Sequence, residues 1–93
     1  MKIKILKEFS TKLTLQVEFI AKDKTSAARK FKKDVLKLIS NLAQMPYQHR
    51  KSIYFYNDNI RDLVFKGYTI VYRIKPSKKE IEVFGLIKHE KHL

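Results

Sequence analysis

The chain has 93 residues, no cysteine and a strong excess of basic side chains, with 21 Lys and Arg against 9 Asp and Glu and a formal net charge of +12. The absence of cysteine excludes a disulfide framework, a zinc-finger site and a thiol nucleophile. The charge predicts a polyanionic or acidic partner, which can be nucleic acid, a ribosome, a membrane surface or an acidic protein.

The length predicts a single domain, residues 1–93. We expect no secretory signal at residues 1–6, because Lys7 and Glu8 interrupt the short apolar start. No apolar run approaches the roughly 20 residues that a membrane-spanning helix needs. We therefore expect a cytoplasmic protein without a membrane partner.

A short strand is predicted over residues 2–6, where Lys alternates with Ile. The next segment, 8–21, fits two structures. Apolar and polar residues alternate over 12–19, which predicts a strand, yet Phe9, Leu13 and Val17 share one face at helical spacing. Because Thr and Val are weak helix formers, the local pattern favours the strand.

An amphipathic helix is predicted over residues 26–44, because apolar residues recur at intervals of three and four. Thr25 or Ser26 can cap its N-terminus, and Pro46 ends the helical region. A basic loop follows at 47–52. Its consecutive His49, Arg50 and Lys51 can point different ways around a phosphate, or the loop is only a soluble connector.

The rest of the chain is predicted to form strands. Residues 53–56 form a short strand or an extended edge, and residues 57–59 form a turn. Two apolar, β-rich runs within 59–74 flank Lys66-Gly67, which predicts a hairpin, because Gly adopts a positive φ without steric cost. The last strand, 81–87, is apolar on both faces and is therefore expected in the interior of the sheet.

The sequence lacks the elements of several common active sites. It has only two glycines and no Gly-rich phosphate loop, and its acidic residues are scattered, mostly beside Lys. No carboxylate cluster accompanies His89 and His92, so no metal and no cofactor are expected. Basic residues and histidines can still support metal-independent RNA cleavage, in which the 2′-OH attacks the adjacent phosphate.

Three stretches of the chain, in this order, resemble the RelE/ParE superfamily of bacterial toxins. They are Ile60-Arg61-Asp62-Leu63, the Gly67-Tyr68 turn with its apolar strand to Ile74, and the final strand followed by Lys88-His89. The resemblance implies an α+β fold with the order β-α-α-β-β-β. In such a fold a helical hairpin packs on one face of a small, twisted, mainly antiparallel sheet. It also implies a helix over 8–21, against the local pattern.

The resemblance further implies the toxin component of a type II toxin–antitoxin system, with a cognate antitoxin as partner. RelE-like members cut mRNA on the ribosome, which makes Arg61, His89 and His92 the catalytic candidates. The matching phosphate-binding candidates are Arg50, Lys51, Arg73, Lys88 and Lys91.

Two departures from the RelE-like pattern keep other functions open. Thr69 stands where those enzymes often have Arg, and no Tyr follows Tyr72. Both favour the ParE-like alternative, in which the toxin inhibits DNA gyrase without cutting RNA. An inactive, basic binding domain with a toxin-like fold is the third alternative.

Overall fold

Two helices lie on one face of a five-stranded sheet in the computed structural model, which describes residues 1–89. The elements are β1 (Lys2–Ile5), α1 (Lys7–Asp23), α2 (Thr25–Asn41), β2 (Arg50–Lys51), β3 (Ile60–Phe65), β4 (Tyr68–Lys75) and β5 (Glu80–Lys88). The strand order is β1-β5-β4-β3-β2, and only β1 and β5 pair in parallel. The predicted α+β class and helical hairpin are confirmed, with one strand more than the resemblance implied.

Residues 8–21 form most of α1, so the strand that the local alternation favoured is wrong and the helix is confirmed. Phe9 and Leu13 lie in the core, and Val17 packs against its edge. Leu15 and Phe19, which the strand pattern would have aligned with Leu13, are instead each 58% exposed. Burial of the helical stripe against the rest of the core outweighs weak local propensity here.

The amphipathic pattern of α2 is confirmed, although the helix begins one residue before the predicted start and ends earlier. Its buried residues are Ala28, Phe31, Val35 and Ile39. The expected cap is wrong, because Lys24 occupies the N-cap position without a side-chain hydrogen bond and Thr25 already belongs to the first turn. Lys24 is the single residue between the two helices, so it is both the C-cap of α1 and the N-cap of α2.

The hairpin of β3 and β4 is confirmed. Phe65 pairs with Tyr68 across the turn, and Lys66 and Gly67 adopt positive φ values of 45° and 78°. Positive φ at both central residues is the type I′ geometry, whose twist matches that of paired strands.

The last strand lies between β1 and β4, as its two apolar faces predicted. Phe84 is an extra residue in this strand, because Tyr72 pairs with Val83 while Val71 pairs with Gly85. The bulge returns Leu86 to the same face as Val83, whereas strict alternation along the strand would place these two residues on opposite faces. Gly85 is required there, since a Cβ atom would lie 3.1 Å from the Val71 Cβ.

The core lies between the helices and the sheet, and β3, β4 and β5 line its floor. These strands contribute Leu63, Ile70, Tyr72, Ile74, Ile81, Val83 and Leu86. The opposite side of the sheet, which we call the outer face, is crossed near β3 by residues 52–56.

The predicted strand at 53–56 is wrong, and the edge strand is Arg50–Lys51 inside the predicted basic loop. Arg50 and Lys51 pair with Asp62 and Arg61. Beyond them the Ile53 amide donates to the side chain of Asp62 instead of continuing the ladder. The chain therefore leaves the sheet edge just where the strand was expected.

Candidate functional site

The sheet separates the predicted site residues onto two faces, because paired residues in a ladder point to the same side. Arg61 pairs with Tyr72, which lies in the core, so Arg61 belongs to the helix-covered face. Lys51 pairs with Arg61 and shares that side. Arg73 pairs with Ile60 and Glu82, one residue out of phase with Tyr72, and so lies on the outer face.

Arg61 holds the segment that joins α2 to β3. Its Nε donates to the Asp58 carbonyl and its Nη1 to the His49 carbonyl, each at 3.0 Å. The guanidinium carbon also lies 5.0 Å from the centre of the Tyr47 ring. These contacts occupy two of the five guanidinium N–H donors with backbone acceptors, so the side chain connects both ends of this segment.

The buried Tyr72 and the half-buried His49 are in contact on the same side as Arg61. The Tyr72 hydroxyl donates to the Pro46 carbonyl at 2.7 Å, and burial raises its pKa to about 12. The His49 ring meets the Tyr72 ring edge-on at 6.2 Å, and burial lowers the His49 pKa. Both groups are therefore neutral near pH 7, which suits a structural role.

Arg73 and Lys75 share one carboxylate on the outer face. Arg73 Nη1 lies 3.5 Å from Glu82 Oε1, and Lys75 Nζ lies 3.0 Å from Glu82 Oε2. The Lys75 hydrogen bond is the main reason that the pKa of Glu82 is lowered. The Arg73 side chain is nevertheless 43% exposed, which leaves N–H donors for another anion.

Arg50 also lies on the outer face, and its carboxylate partner is buried. Its Nη2 lies 3.5 Å from Asp62 Oδ2, and the Asp62 side chain has no exposed surface. The same Oδ2 accepts from the Ile53 amide at 3.0 Å. Asp62 Oδ1 is buried without a hydrogen-bond partner in the described part of the chain. Asp62 thus fastens both Arg50 and the segment that crosses the outer face.

His89 follows β5 and is the exposed imidazole of the outer face. Its amide donates to the Gly67 carbonyl, and its Nε2 lies 2.6 Å from the hydroxyl oxygen of Thr69, which is fully buried. Thr69 and Arg73 lie on the same face of β4, so their backbones are about 13 Å apart at the rise of a strand. His89 and Arg73 can therefore contact different parts of one extended ligand.

Lys88 points away from His89. Its Nζ lies 4.6 Å from the centre of the Phe19 ring on α1, on the helix-covered side. Lys91 and His92 lie outside the described residues. The structure thus brings Arg50, Arg73 and His89 to one face, and Arg61, Lys51 and Lys88 lie on the other.

Within residues 1–89, no group of three or more His, Cys, Asp or Glu side chains is placed to hold a metal ion. None of the helices in this part of the chain is both long and apolar enough to cross a membrane.

The family model described as the ParE toxin of the type II toxin–antitoxin system parDE matches residues 3–93. The chain belongs to the ParE toxin family. A solved structure titled as a chromosomal ParDE toxin–antitoxin system from P. aeruginosa has the same fold, with a TM-score of 0.77 at 18% identity over 97% of each chain. No curated protein sequence matches the chain.

Membership of the ParE toxin family confirms the RelE/ParE resemblance and the toxin component of a type II toxin–antitoxin system. Such a system implies a cognate antitoxin as the partner of this ParE-family chain.

Sequence reasoning missed part of the outer face of this ParE-family chain. Phe55 meets Phe84 edge-on at 5.6 Å, and the Arg73 guanidinium lies 5.2 Å from the centre of the Phe84 ring. The available signal was the run Ile53–Tyr56, whose consecutive apolar residues do not alternate as a half-buried strand would require. Asp62 was also missed, because nothing local shows that its side chain is buried.

Proposed function

We propose that this toxin inhibits growth as a ribosome-associated mRNA endoribonuclease that reacts at its outer face. The observation that carries the proposal is the position of His89. Its exposed imidazole lies 2.6 Å from the Thr69 hydroxyl on the same face as Arg50 and Arg73. A proton-transfer group and two guanidinium groups are the kinds of side chain that metal-free RNA cleavage requires.

The reaction proposed is an internal transfer. An unprotonated imidazole of His89 or His92 removes the proton of the 2′-OH, and the 2′-oxygen then attacks the adjacent phosphorus. The bond from phosphorus to the 5′-oxygen breaks, and the leaving oxygen takes a proton from the other histidine. The products are a 2′,3′-cyclic phosphate and a 5′-hydroxyl end. Arg73 stabilises the negative charge that develops on the phosphoryl oxygens.

The net positive charge of the chain supports RNA as the partner. A net charge of +12 on 93 residues attracts ribosomal and messenger RNA, and it raises the rate of encounter at low salt. Arg50, Lys51, Lys88 and Lys91 remain the proposed phosphate-binding residues. Arg50 lies on the outer face and Lys51 and Lys88 on the helix-covered face, so these three would contact more than one stretch of RNA backbone.

Arg61 stays a catalytic proposal that its own variant tests. Its two backbone hydrogen bonds predict that Arg61→Ala destabilises the segment 46–59 as well as any cleavage. Cleavage should therefore be compared with the thermal unfolding midpoint of the same variant. Loss of cleavage at unchanged stability supports contact with the phosphate, whereas full cleavage by the folded variant assigns Arg61 a purely structural role.

The experiment is induced expression followed by sequencing of RNA 5′ ends. Wild-type protein should arrest growth and produce new 5′-hydroxyl ends at codon boundaries in translated messages. His89→Ala should abolish these ends, and Lys22→Ala, which removes an exposed charge at the end of α1, should retain them. Growth arrest with intact mRNA would refute the nuclease proposal.

Inhibition of DNA gyrase is the second candidate, and two observations favour it. Arg61 and His89 lie on opposite faces of the sheet, which separates two of the catalytic candidates of the nuclease proposal. Thr69, at the position where RelE-like enzymes often have Arg, is also buried beneath His89. This candidate predicts that the purified protein inhibits DNA supercoiling by gyrase and induces DNA breaks. Unchanged supercoiling at excess protein would eliminate it.

A further inference from the structure

The segment Ile53–Tyr56, which we call the aromatic loop, exposes four consecutive apolar side chains. Tyr54 and Phe55 are more than two-fifths exposed, Ile53 is 69% exposed, and Tyr56 is fully exposed. Single exposed apolar residues are common on protein surfaces, but a contiguous group of this kind marks a binding site.

The backbone of the aromatic loop is held in place although its side chains are exposed. The Ile53 amide donates to Asp62 Oδ2 at 3.0 Å, and the Tyr54 amide donates to the Ser52 hydroxyl at 3.1 Å. A third contact, the edge-on packing of Phe55 against Phe84, connects the loop to β5. A surface that is already ordered loses less conformational entropy when a ligand binds.

Cations adjoin the rings. The guanidinium of Arg73, the ring of Phe84 and the ring of Phe55 form a continuous series of contacts. The Arg73 and Arg50 side chains are 43% and 48% exposed, and each ion pair uses a single guanidinium nitrogen. Each guanidinium therefore retains N–H donors for a phosphate.

An open groove also borders the aromatic loop. The groove has a volume of about 630 Å³ and is lined by Lys51, Ser52, Phe55, Tyr56, Asn57 and Asp58. The Lys51 ammonium lies 3.3 Å from Asp58, and both side chains are mostly exposed. Salt screens such an exposed pair strongly, so a polyanion can compete for Lys51.

We infer that the aromatic loop is a stacking platform for single-stranded nucleic acid. Bases stack on the rings of Tyr54, Phe55 and Tyr56, while phosphates contact Arg50 and Arg73. Interleaved rings and arginines beside a basic surface are the features that bind single strands without reading their sequence. An acidic segment of a protein would use the cations but has no need of three exposed rings.

This inference goes beyond the proposed function, because binding does not require cleavage. The test therefore uses ligands that the 2′-OH reaction cannot cut. A fluorescently labelled 2′-O-methyl RNA of about ten nucleotides matches the site size of such platforms. A DNA single strand of the same length and a duplex of equal total charge complete the set. Affinities are measured by fluorescence anisotropy on the purified chain.

The wild-type chain should bind either single strand at least about tenfold more tightly than the duplex. Tyr56→Ala should weaken single-strand binding by about tenfold, because stacking of one base on an aromatic side chain contributes about 1–3 kcal/mol. Tyr56→Phe keeps the ring and should bind as wild type. Leu15→Ala removes an exposed apolar side chain of α1 and should have no effect. Tighter binding of the RNA strand or of the DNA strand then shows which of the two nucleic acids the platform favours.

Salt dependence separates the rings from the charges. Arg73→Gln should reduce the slope of log affinity against log salt by about 0.7, the value for one phosphate on a single strand. Tyr56→Ala should leave that slope unchanged. Equal affinity for single strand and duplex, together with wild-type affinity of Tyr56→Ala, would overturn the platform. Failure of the RNA-cleavage experiment alone would not, since these ligands are not cleaved.

Discussion

The Nε2 atom of His89 lies 2.6 Å from the hydroxyl oxygen of Thr69. This contact joins the residue after the last strand to a fully buried residue of the central strand β4. Either partner can donate the proton, because a neutral imidazole has two tautomers. In both cases the hydroxyl fixes the orientation of the ring and leaves Nδ1 for another partner.

Thr69→Val should therefore reduce RNA cleavage at the outer face without unfolding the protein. Valine matches the shape of threonine but cannot hydrogen-bond to His89, so the ring loses its fixed orientation. We expect RNA cleavage to fall by about tenfold, which is within the effect of proton transfer by one positioned group. Cleavage by the purified variant and its thermal unfolding are the measurements.

Thr69→Ser restores the hydroxyl and should restore cleavage. If Thr69 positions the imidazole, the pH profile of cleavage should also shift in Thr69→Val and return in Thr69→Ser. Wild-type cleavage and an unchanged pH profile in Thr69→Val would show that the contact has no part in the reaction.

The aromatic loop should depend on Asp62. Asp62→Ala removes the acceptor of the Ile53 amide and the partner of Arg50, so the loop should detach from β3. We expect a loss of about 1–3 kcal/mol of unfolding free energy, the cost of an unpaired buried group. Hydrogen exchange should show lost protection at the Ile53 amide.

Asp58→Ala is the matched control, because Asp58 also forms an ion pair but its side chain is 82% exposed. Removing an exposed pair should change the free energy of unfolding by less than about 1 kcal/mol. Equal effects of the two substitutions would show that Asp62 does not hold the loop.

Alkaline unfolding should report on Tyr72. Its pKa is about 12 in the folded chain because the hydroxyl is buried, against about 10 for an unfolded tyrosine. The unfolded state therefore releases this proton first, and the stabilisation, complete below pH 10, is lost as the pH rises towards 12. We expect the wild type to lose about 2 kcal/mol across this window beyond the loss in Tyr72→Phe.

Tyr72→Phe should also lose about 1 kcal/mol at neutral pH, because the hydrogen bond to Pro46 is gone. Denaturant titrations of both proteins at several pH values give the comparison, with Tyr56→Phe as an exposed control. Parallel pH profiles for wild type and Tyr72→Phe would contradict the buried phenol.

The local chemistry of the sequence was sufficient for the hairpin and for α2. Lys66-Gly67 between two apolar runs specifies a turn with positive φ. The apolar residues of α2 recur only at intervals of three and four, which fits a helix alone. The apolar residues of α1 fit both the alternation of a strand and the spacing of a helix, so only packing against the other elements decides between the two structures. The family resemblance, not the local pattern, supplied the helix.

The candidate site was harder to predict because side-chain partners are distant in sequence. Arg61 looked like a free cation, but its acceptors are carbonyls that a bend of the chain brings to it. The expected strand at 53–56 failed because a carboxylate on β3 captures the Ile53 amide. The bulge at Phe84 shifts the faces of β5, and the sequence contains no marker for it except Gly85.

Sequencing of RNA 5′ ends after induction, in wild type and in His89→Ala, tests the central claim most directly. The account predicts 5′-hydroxyl ends at codon boundaries in wild-type cells and their loss in His89→Ala cells that accumulate the same amount of protein. Growth arrest without new RNA ends, or an identical set of ends in His89→Ala, would contradict it.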